Sequence, residues 1–284
     1  MEFSKIGTQS FIALGIGEVL FCVLPIIIAF VWVIRKKERF TTVLVGAAAF
    51  LLFAIILEKP IQNVLVFPTQ MGLSEHAVSR FLNARPVLWA LIIGLFPGLF
   101  EETGRLIAFR TVLKKRKNRE TSISYGIGHG CFEVIMILGI TYATYISYAV
   151  MINTGTFQLI VDQVAAQAPD QTDAVISLAD QLAVLTAADV VMAFIERIFA
   201  VLFHIGASIM VFYACKEKSR LWLYPLAVIL HTAMDFIVGL SMTDLFSPSV
   251  LALEIILAVF GVVTFCGAYF LLYKKDTGNR ENTN

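Results

Sequence analysis

Apolar residues run along this chain in seven blocks of roughly 20 residues, separated by polar stretches that are often rich in Lys and Arg. The blocks fall near residues 11–34, 41–57, 87–109, 121–150, 186–214, 221–241 and 249–273. A helix of that length crosses the hydrocarbon of a bilayer, about 30 Å at 1.5 Å of rise per residue. The pattern therefore predicts an all-α polytopic membrane protein, a bundle of about seven transmembrane helices. The second block is short, and the fourth is long enough to tilt or to project from the membrane. Between the fourth and fifth, Phe157, Ile160, Val161, Val164 and Ala168 recur at helical spacing before Pro169. This predicts a helix on the outer membrane surface, either packed on the bundle or lying over it as a lid. His76, in the polar stretch after the second block, is expected at a solvated surface.

Composition supports the same picture. Of 284 residues, 58% are hydrophobic, and the mean hydropathy of +0.80 is too high for a soluble domain. The formal net charge of +1 conceals an asymmetry, because 16 of the 22 Lys and Arg residues lie in four clusters. These are residues 35–39, 110–119, 216–220 and the tail from Lys274. Placing them on the cytoplasmic side puts the N-terminus outside and the C-terminus inside. Thr121 to Ile195 contains no Lys or Arg but holds Asp162, Asp170, Asp173 and Asp180, as an external loop should. The first block is not a cleavable signal, since its positive flank follows the apolar run. Cys22, Cys131, Cys215 and Cys266 stand singly, which suggests neither a disulfide framework nor a thiolate zinc site. Residues 1–284 read as a single integral membrane domain, with the chemistry concentrated in 87–241 and a cytoplasmic tail at 274–284. Multi-pass insertion in a bacterial plasma membrane is the expected location, and no nucleic-acid partner is expected.

Ionisable residues inside the apolar blocks change the picture, since each costs roughly 2.5–3.5 kcal/mol on insertion scales. Counted from the basic ends, Glu101 lies about 13 Å deep, His129 about 12 Å, and His204 and His231 about 16 Å each. Four helices thus carry a titratable group in one layer. His129 and Glu133 are four apart, as are His231 and Asp235, so each acid shares a helix face with an imidazole. Arg105 is four residues from Glu101 and three from Glu102, so it can neutralise one carboxylate and leave the other to titrate. Arg197, seven residues before His204, lies on the same face, although Glu196 beside it offers an ion pair. Gly94, Gly98 and the GIGHG run around His129 allow helices to approach closely. A lone HxxxD is commonly an interhelical hydrogen-bond device, and EExxR can be a buried ion pair. Neither reading accounts for the shared depth of four sites. A carboxylate among imidazoles in a confined cavity suits hydrolysis, with Glu taking a proton from water and His supporting that water or the leaving amine. His231 held by Asp235 could stabilise the oxyanion.

The series EExxR at Glu101–Arg105, HGxxE at His129–Glu133, His204, and HxxxD at His231–Asp235 resembles the motifs of YhfC-type membrane proteins. These are similar to the CAAX prenyl endopeptidase and bacteriocin-processing superfamily, which also takes in PrsW-type proteases and a noncatalytic scaffold subunit of γ-secretase. The resemblance runs from about Leu91 to Gly239. It implies a glutamic-type intramembrane endopeptidase that cuts a membrane-embedded or lipidated peptide or protein in a cavity open toward the cytoplasm. Glu101 would be the base, with His129 or His204 assisting the water and His231 with Asp235 forming the oxyanion site. Arg105 comes one residue earlier than in the CAAX pattern, which leaves Glu101 and Glu102 both open as the base. Asp235 stands where asparagine is usual there, which suggests that it orients His231. This mechanism needs no cofactor. Its alternative is zinc held by His129, His204 and His231 with Glu101 as base. A transporter or a noncatalytic scaffold would also place polar groups in membrane helices. Glu101→Gln and Glu102→Gln, made singly, separate a protease from a scaffold.

Overall fold

A computed structural model describes residues 3–276, apart from the Asp170 side chain; most of the expected tail at 274–284 lies outside the described residues. Among the described residues, seven helices are long and apolar enough to cross a membrane. They are α1 (Thr8–Lys36), α2 (Phe40–Val66), α3 (Pro86–Arg110), α4 (Glu120–Thr154), α5 (Ala187–Lys216), α6 (Leu223–Ser241) and α7 (Val250–Tyr273). Each covers one apolar block within a few residues, except that α2 continues nine residues past the expected end, to Val66. That continuation brings Glu58, Lys59 and Gln62 into the helix. Leu51–Glu58 within α2 is π-helical, a winding that occurs often at functional sites.

Helix ends follow local chemistry. Thr186 donates through its backbone N–H and its hydroxyl to Asp189 Oδ2 (2.9 and 2.7 Å), fixing the first turn of α5. Ser249 caps α7 by accepting from Ala252 N. Gly155 stops α4 because φ is +76° there, a conformation that side chains resist. His76 is not simply solvated: it caps the short helix Ala77–Asn83, accepting from Ser79 N, and its Nε2 lies 2.8 Å from Val64 O.

The chain divides into two compact units, each with its own contacts. One comprises Met1–Ile27 and Val134–Arg197. In it Asn153 brackets Ile6, accepting from Ile6 N (2.8 Å) and donating to Ile6 O (2.9 Å). Phe21 packs on Tyr142 with ring centroids 4.9 Å apart. The helix expected near 156–168 forms at Gln158–Gln167, and a second follows at Thr172–Val184. Val161 on the first is buried, and Phe157 just ahead of it is buried against Tyr148.

The other unit comprises Ile28–Glu133 and Ile198–Asn284. Its largest interface joins α3 to α6, and glycine makes it possible. A methyl group on Gly98 would stand 3.0 Å from both Val228 O and Thr232 N, so the two backbones are almost in contact. Gly128 of α4 does the same against α2, where a Cβ would collide with the carbonyl of Val43. A core of Phe109, Tyr125, Ile209, Phe212 and Tyr213, fully or nearly fully buried, fills the interior of this unit.

Candidate active site

Within this second unit, α3, α6 and the parts of α4 up to Glu133 and of α5 from Ile198 turn charged and imidazole side chains toward one another. Glu101, Glu102, Arg105, His129, His204 and His231 are all at least 94% buried. Residues 28 to 129 positions apart in sequence become direct neighbours. His129 Nε2 donates to Glu101 Oε2 (2.9 Å), joining α4 to α3. His231 Nδ1 donates to Glu102 Oε1 (2.9 Å), joining α6 to α3. Arg105 Nη2 donates to His204 Nδ1 (2.5 Å) and Arg105 Nε to Ser208 Oγ (3.2 Å), joining α3 to α5. Arg105 Nη1 pairs with Glu102 Oε1, and its Nη2 is 3.9 Å from Glu101 Oε2. The guanidinium thus binds Glu102 closely and Glu101 only loosely. Glu102 is held by Arg105 and His231, and Glu101 by His129.

The acids four residues beyond two of the histidines complete the cluster. Glu133 Oε2 lies 2.5 Å from His204 Nε2 on α5. Asp235 Oδ2 is 3.4 Å from His231 Nε2, and at 25% its side chain is the most exposed acid of the set. The ring of His129 lies 4.9 Å from that of His204, which in turn lies 5.4 Å from that of His231. Phe50 and Phe203 close the layer, packing edge-on against His129 and His231. Arg197 pairs with its neighbour Glu196 and belongs to the other unit.

Three groups of this cluster can converge on a metal. One donor atom each from Glu101, His204 and His231 lies within 4.8 Å of the others. The sequence pointed to a different triad with His129 in place of Glu101; His129 instead spends Nε2 on the Glu101 carboxylate. The surroundings suit an N/O-liganded ion. His204 has a carboxylate on Nε2 and His231 has one on Nδ1, the arrangement that fixes a ligating tautomer and turns the other lone pair inward. The lone pairs left for an ion are His204 Nδ1, which Arg105 now occupies, and His231 Nε2. The residues fit a divalent ion, on condition that Arg105 releases His204.

One buried acid of this unit escaped the sequence. Glu58 of α2 is fully buried, and neither of its oxygens has a hydrogen-bond partner. Its signal was an ionisable residue next to an apolar run, discounted because the run was closed at residue 57.

Among the described residues, seven helices able to cross a membrane and, within one unit, a dense, buried cluster of acids and imidazoles define a polytopic membrane protein with hydrolytic equipment. Comparison with known proteins makes this specific. The family model for the YhfC intramembrane metalloprotease matches residues 20–265, and the chain belongs to that family; it is an intramembrane protease. The chain is 30% identical over 233 residues to "Uncharacterized membrane protein YhfC" of Bacillus subtilis (strain 168), covering 81% of this chain and 84% of that one. No solved structure matches it.

Proposed function

We propose that the chain hydrolyses a peptide bond of a membrane-embedded or lipidated substrate with the help of a divalent metal, zinc being the natural choice for a Glu–His–His donor set. Glu101, His204 and His231 would hold it. The convergence of their donor atoms within 4.8 Å, with all three residues buried, is the observation that carries this reading. A metal bound there supplies Lewis acidity, polarising the scissile carbonyl and making water a better nucleophile.

The chain's own residues supply the rest. His129 holds the Glu101 carboxylate by its Oε2, so that its direction is set by α4 as well as by α3. Glu102 and Glu133 orient His231 and His204 from behind, and Arg105 keeps Glu102 compensated. Asp235 is the acid that water entering the cluster reaches most easily, and it is the group suited to take a proton and return it to the leaving amine. Metal analysis of the purified chain tests this directly. We expect near-stoichiometric zinc, reporter cleavage that stops on chelation and returns with zinc, and loss of bound metal in His204→Ala.

A second reading keeps Glu101 as a general base without metal, and the His129–Glu101 hydrogen bond favours it because it poises one carboxylate oxygen in a dry site. Metal-free protein that cleaves its reporter in the presence of chelator would establish this version instead.

A further inference from the structure

Glu58 has no part in the mechanism above, yet it is the least explained charge in the molecule. Its side chain is 1% exposed, and both carboxylate oxygens are buried without a hydrogen bond. Such a group costs several kcal/mol unless something compensates it, so an unsatisfied one calls for a missing partner. Glu58 lies two turns along α2 from Phe50, whose ring packs 5.2 Å from that of His129, and between Phe53 and Gln62, which meet α3 at Gly104 and at Ile93 O, so it stands on the stretch of α2 that flanks the helix carrying Glu101. Glu58 adds a further carboxylate beside a cluster that holds Glu101, Glu102 and Asp235 together with the buried guanidinium of Arg105. A dication at Glu101, His204 and His231 would offset part of that negative charge. Glu58 would still be left with its long contact to Lys59.

The cation that does approach it is instructive. Lys59 Nζ stands 3.5 Å from Glu58 Oε1, too far for a hydrogen bond, on a side chain that is 49% exposed. An ammonium group on a half-exposed side chain therefore stands beside this carboxylate, and the contact it makes is a long one.

We infer that Glu58 is a substrate-recognition residue, and that its carboxylate takes the ammonium or guanidinium group of a Lys or Arg in the peptide substrate, displacing Lys59. This rests on the reading of the cluster as a peptide-cleaving site and adds the substrate's charge to it.

The test is binding without turnover. Blocked fluorescent single-span peptides, identical except for one residue that is Lys, norleucine or Glu, are titrated onto the purified full chain carrying Glu101→Gln in lipid nanodiscs. The substituted position is moved along the peptide. At one position the Lys peptide should bind about 10-fold more tightly than the norleucine peptide, and the Glu peptide most weakly. Adding Glu58→Gln should cancel the difference, Glu58→Asp should retain part of it, and Lys59→Gln should widen it by removing the internal competitor. Equal binding of Lys and norleucine peptides at every position overturns the inference, as does a lysine preference that survives Glu58→Gln. Should Glu58→Gln fail to fold, a lysine preference unchanged by Lys59→Gln has the same force. Cleavage is then followed with Glu101 restored. Cutting without a lysine preference removes the cation site and spares the protease, whereas lysine-selective binding with no cutting of any peptide does the reverse.

Discussion

In the unit formed by Met1–Ile27 and Val134–Arg197, neutral groups join distant segments of the chain. Asn153 holds Ile6, and Ser10 donates to Ala183 O. The ion pair between Arg197 and Glu196 joins chain neighbours. In the unit formed by Ile28–Glu133 and Ile198–Asn284, the long-range contacts include carboxylates, imidazoles and a guanidinium from four helices. Both units must join helices, and glycine contacts serve that purpose in each. Neutral hydrogen bonds suffice for the joining. The second unit joins its helices through acids in place of neutral groups, and since such groups are costly in lipid, the proposed chemistry accounts for their presence there.

The sharpest way to break this contrast is to remove the charge on Glu101. Glu101→Gln preserves shape and should lower cleavage of a tagged membrane-anchored reporter by about 10³-fold or more, because it removes the group common to both proposed mechanisms. His231→Ala should do comparable damage and, under the metal reading, should also empty the site when zinc is measured. A Glu101→Gln chain that cleaves within about 10-fold of the unaltered one would show that the charged layer only holds helices together.

Much of this layer was legible in the sequence, for a physical reason. An ionisable residue in an apolar run stands out against its background, and a rise of 1.5 Å per residue converts its position into a depth. The spans followed from apolar run length, and the neighbours within one helix followed from periodicity. Partners across helices did not. Four-residue spacing put Glu133 on the face of His129 and said nothing of His204, which the approach of α4 and α5 brings within 2.5 Å of its Oε2. The metal-capable group includes Glu101 in place of His129 for the same reason. Glu58 was missed because polar residues just past an apolar run look like a boundary, while α2 in fact carries on to Val66.

The next largest effect concerns stability. Arg105 is fully buried and is the compensating charge for Glu102. Arg105→Met should therefore cost about 3–5 kcal/mol by leaving that carboxylate unpaired among helices. Glu102→Gln combined with Arg105→Met should recover most of the loss, which unfolding in detergent can measure. If the single and double variants unfold alike, the pair is not what holds α3 in place.

Glycine contacts allow a finer comparison of the two units. A Cβ on Gly128 meets the backbone of Val43, which cannot move without displacing α2, and α2 carries the Phe50 ring 5.2 Å from His129. A Cβ on Gly17 meets the Tyr142 ring, which is a side chain and can turn aside. Gly128→Ala should cost about 1–3 kcal/mol and reduce cleavage, and Gly17→Ala should cost less and leave cleavage intact. Equal losses of cleavage from the two would show that both units bear on catalysis alike.

The smallest effect is expected from Asn153→Ala. Asn153 makes two hydrogen bonds with the backbone of Ile6, and membrane hydrogen bonds of this type average about 0.6 kcal/mol, with a maximum near 1.7. The alanine leaves Ile6 N and O to find other partners, so the loss should be about 1 kcal/mol, read as a small fall in melting temperature. Since neither group carries charge and neither touches the acid–imidazole layer, kcat for the reporter should stay unchanged. A change in kcat without a matching change in stability would mean that the neutral unit tunes the reaction, and the division of labour between the two would have to be abandoned.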